Sequence, residues 1–250
     1  NRVDERALAL LSQAERRTGD YQAAESTARR LITQNSRNAR GYVSLAEALE
    51  EQRRFQPIIE ALAPAATTFR GNTDTAFALA MVLPHLGFAY QELGQYDKAI
   101  STFEELSKLA PEDSSVIGYL VQAHMAAKNY PQAAELAHTA RTKNPGDIRL
   151  ARLEAQALRK SGKVDQGLAI LEDLARKQAN DPTSYIALAQ GYADASRSAQ
   201  AIKVLQDAQS KFPEESSITF ELASVLEKQK KYSEAEAVFR RALDTPARLP

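Results

Sequence analysis

Cysteine is absent from the 250 residues, which excludes disulfides, thiolate nucleophiles and sulfur-ligated metal sites. Neither sign of charge is in excess, because Lys plus Arg and Asp plus Glu both total 32. The net charge of zero gives no global field to attract nucleic acid or an acidic membrane surface. No window approaches 18 consecutive apolar residues, so no segment is expected to span a membrane. We expect a soluble protein, cytoplasmic or periplasmic, that neither binds nucleic acid nor inserts into a membrane.

Motifs that carry catalysis are also missing. The sequence contains no Gly-x-Ser-x-Gly, no phosphate-cradling glycine loop and no His-Glu-x-x-His. Gly162-Lys163 matches only the end of a nucleotide-binding loop and falls in a predicted turn between helices. Of the three histidines, His85, His124 and His138, no two are spaced to bind one metal ion, and His124 is expected to pack between helices. The sequence therefore predicts no enzyme, no cofactor and no metal site.

The run from Leu83 to Pro111 sets the pattern for the rest of the chain. Its apolar residues fall at helical steps of three and four in two stripes, Leu83, Leu86 and Tyr90, then Ala99, Phe103 and Leu106. Gly94 and Gln95 form a short turn between them. Gly87 and Ala99 lie where two helix backbones would cross, and their small side chains allow close approach. The run predicts a helix pair that must stack on a neighbour to bury its apolar face.

The same pattern recurs every 34 residues along the chain. Repeats start near Glu5, Ala39, Ala80, Ser114, Ile148, Pro182 and Ser216, with seven extra residues before Ala80. One column of the second helix confirms this register with six small residues and Ile58: Ala24, Ile58, Ala99, Ala133, Gly167, Ala201 and Ala235. Prolines follow the second helices at Pro111, Pro145 and Pro213, where they stop a helix. The sequence therefore predicts seven helix pairs.

The residues of the central run, from Leu83 through Gly87, Tyr90, Ala99 and Phe103 to Pro111, resemble the tetratricopeptide repeat. The resemblance covers essentially the whole chain and implies an all-α fold, a right-handed solenoid of antiparallel helix pairs in a single domain over 1–250. The expected repeats span 5–38, 39–72, 80–113, 114–147, 148–181, 182–215 and 216–250, with an insertion at 73–79. In this family the first helices line a concave groove that usually receives an extended or helical peptide.

Positions 2, 5, 9 and 12 of each first helix are expected to face that groove. They give nine candidate peptide-binding residues: Met81, Phe88, Gln122, Met125, Arg149, Arg152, Gln156, Arg159 and Gln190. Gln122, Gln156 and Gln190 form a ladder of amides that can bond a peptide backbone. The arginines suit a carboxylate, and Phe88, Met125 and Met81 form an apolar floor. We predict a partner peptide with an acidic or C-terminal carboxylate group and a hydrophobic side chain.

Two observations weigh against a more specific interpretation. Gln and Arg are common on any solvated helix face, so the amide ladder and the arginines could be incidental. Chaperone-binding members of the family carry a clamp of Lys, Asn, Asn, Lys and Arg on three successive first helices. The matching positions here do not reproduce that clamp: Ala9, Gln13, Ser44, Pro84 and Phe88. We therefore do not predict binding of chaperone C-terminal tails.

The join of the second and third repeats is irregular. Pro64 and Pro84 are predicted inside helices, and a helix is expected to begin about two turns early, capped by Thr73 or Asp74. Phe77 and Leu79 are the candidate contact residues of this insertion. The alternative is an insertion that packs only on its own neighbours.

At the other end of the sequence, Val225, Val238 and Leu243 are expected on an uncapped apolar face. Such a face implies further repeats, a disordered remainder or a stacked partner. Because the chain starts at Asn1 without an initiator methionine, we interpret it as a mature chain or a piece of a longer one.

The leading functional prediction is a non-enzymatic scaffold or adaptor that binds a partner's peptide segment in the groove. One alternative is an assembly module that self-associates through the uncapped end or the 73–79 insertion. Another is an accessory module of a larger enzyme or of a secretion or assembly complex.

Overall fold

The structure, a computed structural model, describes residues 2–70, 75–111 and 113–244. Over these ranges the chain forms fourteen α-helices and no strand. The helices are α1 Arg2–Arg17, α2 Tyr21–Gln34, α3 Ala39–Glu51, α4 Phe55–Arg70, α5 Ala76–Glu92, α6 Tyr96–Leu109, α7 Ser114–Ala126, α8 Tyr130–Lys143, α9 Ile148–Lys160, α10 Val164–Lys177, α11 Pro182–Asp194, α12 Ser198–Lys211, α13 Ser216–Lys228 and α14 Tyr232–Asp244. From Ser114 onward each first helix begins at the predicted repeat start.

Side-chain caps fix where several first helices begin. The Asp113, Asp147 and Asp181 carboxylates each accept a hydrogen bond from a backbone N–H in the first turn, at 2.8, 2.9 and 2.9 Å. Asp181 stands before Pro182, whose fixed φ suits the first helical position. The predicted stops are confirmed as well, because α6, α8 and α12 each end two residues before a proline.

The turn inside each helix pair contains one residue in the left-handed backbone region. Three of the seven are glycines, Gly19, Gly94 and Gly162, with φ of 84°, 73° and 84°. The other four are Arg53, Lys128, Ser196 and Lys230, with φ of 55°, 63°, 62° and 60°. Glycine adopts this conformation without the steric cost that a Cβ imposes, so the four side-chain-bearing turns are strained.

We expect Ser196→Gly to raise the free energy of unfolding by about 0.5 kcal/mol, because relief of backbone strain outweighs the extra entropy of the unfolded chain. The matched change Gly162→Ala, at the same place in the preceding pair, is expected to lower it by about 1 kcal/mol. Urea denaturation measures both. A loss of stability in Ser196→Gly would contradict this explanation of the turns.

The predicted small-residue column lies in the core. All seven of its members are buried, including Ile58, the only large one. Two glycines likewise allow neighbouring helices to pack closely. A Cβ on Gly87 would lie 2.5 Å from the Phe103 ring, and a Cβ on Gly167 would lie 2.7 Å from the Ala155 carbonyl oxygen. The close packing predicted at Gly87 is thereby confirmed, with Phe103 of α6 as the contact.

The chain divides into two compact units, residues 1–128 (unit 1) and residues 129–250 (unit 2). Within each unit consecutive helices pack together, and the first helices of successive pairs also touch, as in α3 with α5 and α9 with α11. In the described part of each unit, no two second helices make such contacts. The first helices are therefore the more closely spaced layer, which is the inner layer of a curved stack. A single domain over 1–250 stays a prediction.

The insertion lengthens one first helix. Helix α5 has 17 residues against 13 in α7, and Pro84 lies inside it as Pro64 lies inside α4. The predicted caps Thr73 and Asp74 fall outside the described residues. Phe77 is 78% exposed, whereas Leu79 is 4% exposed. Because the Leu79 side chain is already packed inside the chain, only Phe77 keeps the contact role predicted for the two residues.

The apolar face expected near residue 243 is not the one observed. Val225 and Val238 are 2% and 8% exposed and belong to the core shared by α12, α13 and α14. The prediction that they lie on an outer face was wrong, because both point toward the preceding helices. The Leu243 side chain is outside the described set. The exposed apolar side chains of this region are Phe220 and Tyr232 instead, at 62% and 64%.

Among the histidines, His124 on α7 is half-buried, as its predicted packing requires. Its Nδ1 atom is buried and has no hydrogen-bond partner among the described residues. Desolvation by burial lowers the pKa of the imidazole below its ordinary 6.5. The charged form is thus disfavoured in the folded chain.

This shift predicts a loss of stability in acid. The unfolded chain takes up the His124 proton more readily than the folded chain, so the contribution is present above pH 6.5 and is lost as pH falls through the lower folded pKa. We expect His124→Tyr, which matches Tyr90 and Tyr192 at this repeat position, to lose less stability than the parent between about pH 7 and pH 5. Urea denaturation at the two pH values tests this, and equal losses would contradict it.

Candidate functional site

Four of the nine predicted groove residues line one cleft in unit 2. The cleft has a volume of about 90 Å³ and is formed by α9, α10 and α11. Arg152, Gln156 and Arg159 lie along α9, one helical turn apart, and Gln190 faces them from α11. This spacing places three polar side chains on one stripe of α9.

Small residues form the floor of the unit 2 cleft. A Cβ on Gly167 would meet the α9 backbone at Ala155, and a Cβ on Gly191 would collide with the Leu171 side chain. The glycines therefore let α10 approach α9 and α11 approach α10 closely. Ala155, Ala187, Leu168 and Leu171 complete an apolar base beneath the polar side chains.

The charges of this cleft favour an anion. It contains two guanidinium groups, and Asp194 is the one carboxylate in its lining. Arg159 Nη2 lies 3.8 Å from Asp194 Oδ2, while the Arg159 Nε atom is buried without a hydrogen-bond partner in the described structure. Arg152 is exposed, and no described carboxylate lies within ion-pair distance of it. One guanidinium is thus uncompensated and the other only partly paired.

The two amides of the cleft are in different states. Gln190 Nε2 donates to Glu221 Oε2 at 3.0 Å, and this bond fixes the amide plane. The Gln190 Oε1 atom is buried and accepts no bond from any described residue. Gln156 is exposed. Gln156 thus offers a free donor–acceptor pair to a peptide backbone, whereas Gln190 can offer at most its second Nε2 hydrogen.

A second cleft, of about 280 Å³, lies in unit 1 between α3, α5, α6 and α7. Its lining is Glu50, Pro84, His85, Phe88, Gln91, Phe103, Tyr119 and Gln122. Phe88 and Gln122 are the predicted groove residues among them. The aromatic rings make this cleft predominantly apolar, in contrast to the arginine-lined cleft of unit 2.

The remaining predicted groove residues line neither cleft. Met81 and Met125 are half-buried and Arg149 is exposed. The apolar floor therefore consists of Phe88 with Phe103 and Tyr119, and not of Phe88 with the two methionines. Of the amide ladder, Gln156 and Gln190 share a cleft, whereas Gln122 belongs to unit 1.

His85 and Tyr119 were missed from the sequence. Both occupy position 6 of their first helices, one step beyond the positions expected to face the groove. Their separation of 34 residues is the signal that could have identified them, because a shared repeat position implies a shared orientation. Asp194, at position 13 of α11, was missed in the same way.

Over the described ranges, no three His, Asp or Glu side chains converge as the ligands of a metal ion would. Within the same ranges, no helix has both the length and the apolar composition needed to cross a bilayer.

Solved structures of similar fold extend over most of the chain. A tetratricopeptide repeat protein from Parabacteroides merdae is 18% identical with a TM-score of 0.63, over 98% of this chain and 94% of that one. Pseudomonas aeruginosa pilF is 18% identical with a TM-score of 0.58, over 90% and 97% of the two chains. A chain of Naa15/Naa10 bound to HypK-THB is 16% identical with a TM-score of 0.50, over 97% and 37%. At these identities the likeness shows the fold, which confirms the predicted all-α solenoid class.

Family models described as the tetratricopeptide repeat match most of the sequence. One matches residues 90–157 and 124–191, and a second matches residues 9–57 and 186–250. No curated protein matches the chain. The repeat positions, the helix pairs and the family models agree, and the chain belongs to the tetratricopeptide repeat family.

Proposed function

We propose that this chain is a non-enzymatic scaffold that binds a peptide segment of a partner protein along its first helices. Tetratricopeptide repeats generally serve as protein-interaction scaffolds, and such solenoids use extended inner surfaces for binding. The peptide's carboxylate group, from an acidic side chain or a chain end, occupies the unit 2 cleft. Arg152 and Arg159 bind it, while Gln156 and Gln190 bond the peptide backbone.

One observation carries this proposal. Four residues chosen from the sequence for their repeat positions line a single cleft that contains two guanidinium groups and one carboxylate, Asp194. A guanidinium can donate two parallel hydrogen bonds to a carboxylate, and such charge-assisted bonds are about twice as strong as neutral ones. In the same cleft the Arg159 Nε and Gln190 Oε1 atoms are buried without a hydrogen-bond partner among the described residues, which is uncommon for buried polar atoms.

Affinity capture from the extract of the native organism, followed by mass spectrometry, tests the proposal. Three baits are compared: the parent chain, Arg152→Glu with Gln156→Ala, and a control with Lys203→Glu and Gln206→Ala. The control makes the same charge change on exposed residues of α12 that do not line the cleft. We expect a partner retained by the parent and the control but lost by the cleft variant. If all three baits capture the same partners, the proposal that the partner binds in this cleft is contradicted.

A second candidate function is assembly, favoured by exposed aromatic rings at two places. Phe77 at the insertion is 78% exposed, and Phe220 and Tyr232 are 62% and 64% exposed. Exposed large apolar side chains are typical of contact surfaces when they cluster. Light scattering discriminates the two functions, because self-association predicts a molar mass that rises with concentration and falls in Phe77→Ser or Phe220→Ser.

A further inference from the structure

The unit 1 cleft has aromatic walls that are partly exposed. Phe88 is 39% exposed and Tyr119 is 38% exposed, although both are large apolar rings on first helices. Phe103 lies beneath them at 3% exposure. The cleft thus presents aromatic surface at its mouth and a buried ring at its base.

Packing holds both rings in place. Tyr119 stacks on Phe103 with ring centroids 5.4 Å apart and an interplanar angle of 27°, so Phe103 covers one face of Tyr119, which is still 38% exposed. Phe88 meets Phe55 edge to face at 5.7 Å and 81°. Phe103 can lie this deep because Gly87 has no side chain where the ring sits. Rings fixed in this way bind a ligand without losing further side-chain entropy.

A carboxylate lies in the same cleft. Glu50, at the end of α3, is paired through Oε1 with His85 Nδ1 at 2.8 Å. Its neighbours Glu47 and Glu51 both face the Arg16 guanidinium, each at 3.4 Å. No described Lys or Arg lies within ion-pair distance of Glu50, and none lines the cleft.

This difference in pairing gives the cleft its charge. Arg16 is a permanent cation, and it pairs with Glu47 and Glu51 but not with Glu50. The charges of Glu47 and Glu51 are therefore compensated by a guanidinium on α1, whereas the described partner of Glu50 is the His85 imidazole. A half-buried carboxylate without a Lys or Arg partner thus lies in the same cleft as two partly exposed aromatic rings.

We propose that the unit 1 cleft binds a lysine or arginine side chain of the partner peptide. The cation lies against the partly exposed rings of Tyr119 and Phe88, whose quadrupole attracts it. Its head pairs with the Glu50 carboxylate, and its aliphatic stem packs on the rings. Gln91 and Gln122 at the rim bond the adjoining peptide backbone. This inference rests on the proposed function, because it assigns a second subsite to a peptide partner.

Two small probes that differ only in a terminal ammonium group test the inference. Acetyl-lysine N-methylamide and acetyl-norleucine N-methylamide share a four-carbon stem, and only the first carries an ammonium group. Carbon-13 resonances of the Phe88 and Tyr119 rings are followed in titrations of the whole chain. We expect the lysine probe to bind about three-fold or more tightly than the norleucine probe, the scale of a cation over an aromatic ring.

Glu50→Gln is expected to abolish that preference, while the control Glu60→Gln, an exposed acid on α4 away from the cleft, keeps it. Phe88→Leu provides a second variant that removes a ring and keeps the apolar volume, and it should weaken the lysine probe alone. Equal or tighter binding of norleucine would overturn the inference and identify an apolar pocket. Failure of both probes to shift the ring resonances would also overturn it.

The outcome is independent of the capture experiment. If changing Arg152 and Gln156 abolishes capture of the partner, but the lysine probe binds no more tightly than the norleucine probe, only the unit 1 inference is contradicted. If the lysine probe binds more tightly, but all three baits capture the same partners, only the unit 2 proposal is contradicted.

Discussion

Arg152→Glu combined with Gln156→Ala is expected to weaken binding of the captured partner by about 2 kcal/mol or more, about a thirty-fold rise in Kd. The first change replaces an uncompensated cation of the unit 2 cleft by an anion that repels the peptide carboxylate. The second removes the exposed amide of the same helix stripe. Both side chains are exposed, so the fold should tolerate them.

Isothermal titration calorimetry with the partner's peptide measures this effect, and circular dichroism confirms that helix content is unchanged. Lys203→Glu with Gln206→Ala should leave the affinity within about two-fold of the parent, because a remote exposed charge contributes little at physiological salt. Arg152→Lys should lie between the two, since an ammonium keeps the charge but loses the bidentate fork. If Arg152→Glu with Gln156→Ala binds the peptide as tightly as the parent does, the proposal that the peptide binds in the unit 2 cleft is contradicted.

The second large effect is expected at Glu154, a buried acid in the α9 core face. Glu154 is 4% exposed, and both its oxygens are paired with residues of α8. Oε1 lies 2.9 Å from His138 Nδ1, and Oε2 accepts from Arg141 Nε at 2.5 Å. We expect Glu154→Ala to lower the free energy of unfolding by about 3 kcal/mol, because it leaves Arg141 without its partner in a largely buried site. Urea denaturation followed by circular dichroism measures the loss.

Single changes of the two partners separate the contributions. Arg141 has a side-chain exposure of 21%, and Arg141→Ala should cost about 3 kcal/mol because the buried carboxylate loses its cation. His138 has a side-chain exposure of 58%, and His138→Ala should cost less than about 1 kcal/mol. If Glu154→Ala costs less than His138→Ala, the ion pair does not hold α8 to α9 as described.

Much of the fold could be predicted from repeat positions, because each position meets the same surroundings in every helix pair. Gly87 and Ala99 were identified as crossing residues before any contact was known, and the structure places Phe103 against Gly87. The contacts of Glu154 could not be predicted from repeat positions. The sequence shows an acid at a core position, but its partners come from the preceding helix, at positions with no repeated pattern.

Val225 and Val238 show a second kind of limit. A helix at the last repeat has apolar residues on more than one face, and the sequence does not say which face meets the neighbouring helices. Both valines point toward α12 and the core, whereas Phe220 and Tyr232 remain exposed. The face that is buried depends on the crossing geometry, which the helical period alone does not determine.

The candidate site was predictable in part for the same reason. Arg152, Gln156, Arg159 and Gln190 were found because they repeat at groove-facing positions. His85 and Tyr119 were not, because position 6 was left out of the expected set although it lies three residues before position 9 on the same helix face. Glu50 was at a groove position, yet its significance depends on which nearby acids meet Arg16, and that is visible only in the folded chain.

Photo-cross-linking tests the central claim most directly. A benzophenone amino acid is placed at Gln156 in the unit 2 cleft or at Gln206, an equally exposed glutamine of α12 outside it. The chain is irradiated with the captured partner, and the cross-linked peptide is identified by mass spectrometry. The account predicts a cross-link from position 156, and not from 206, to a partner segment with an acidic side chain or a chain end. Cross-linking from 206 with none from 156 would contradict it.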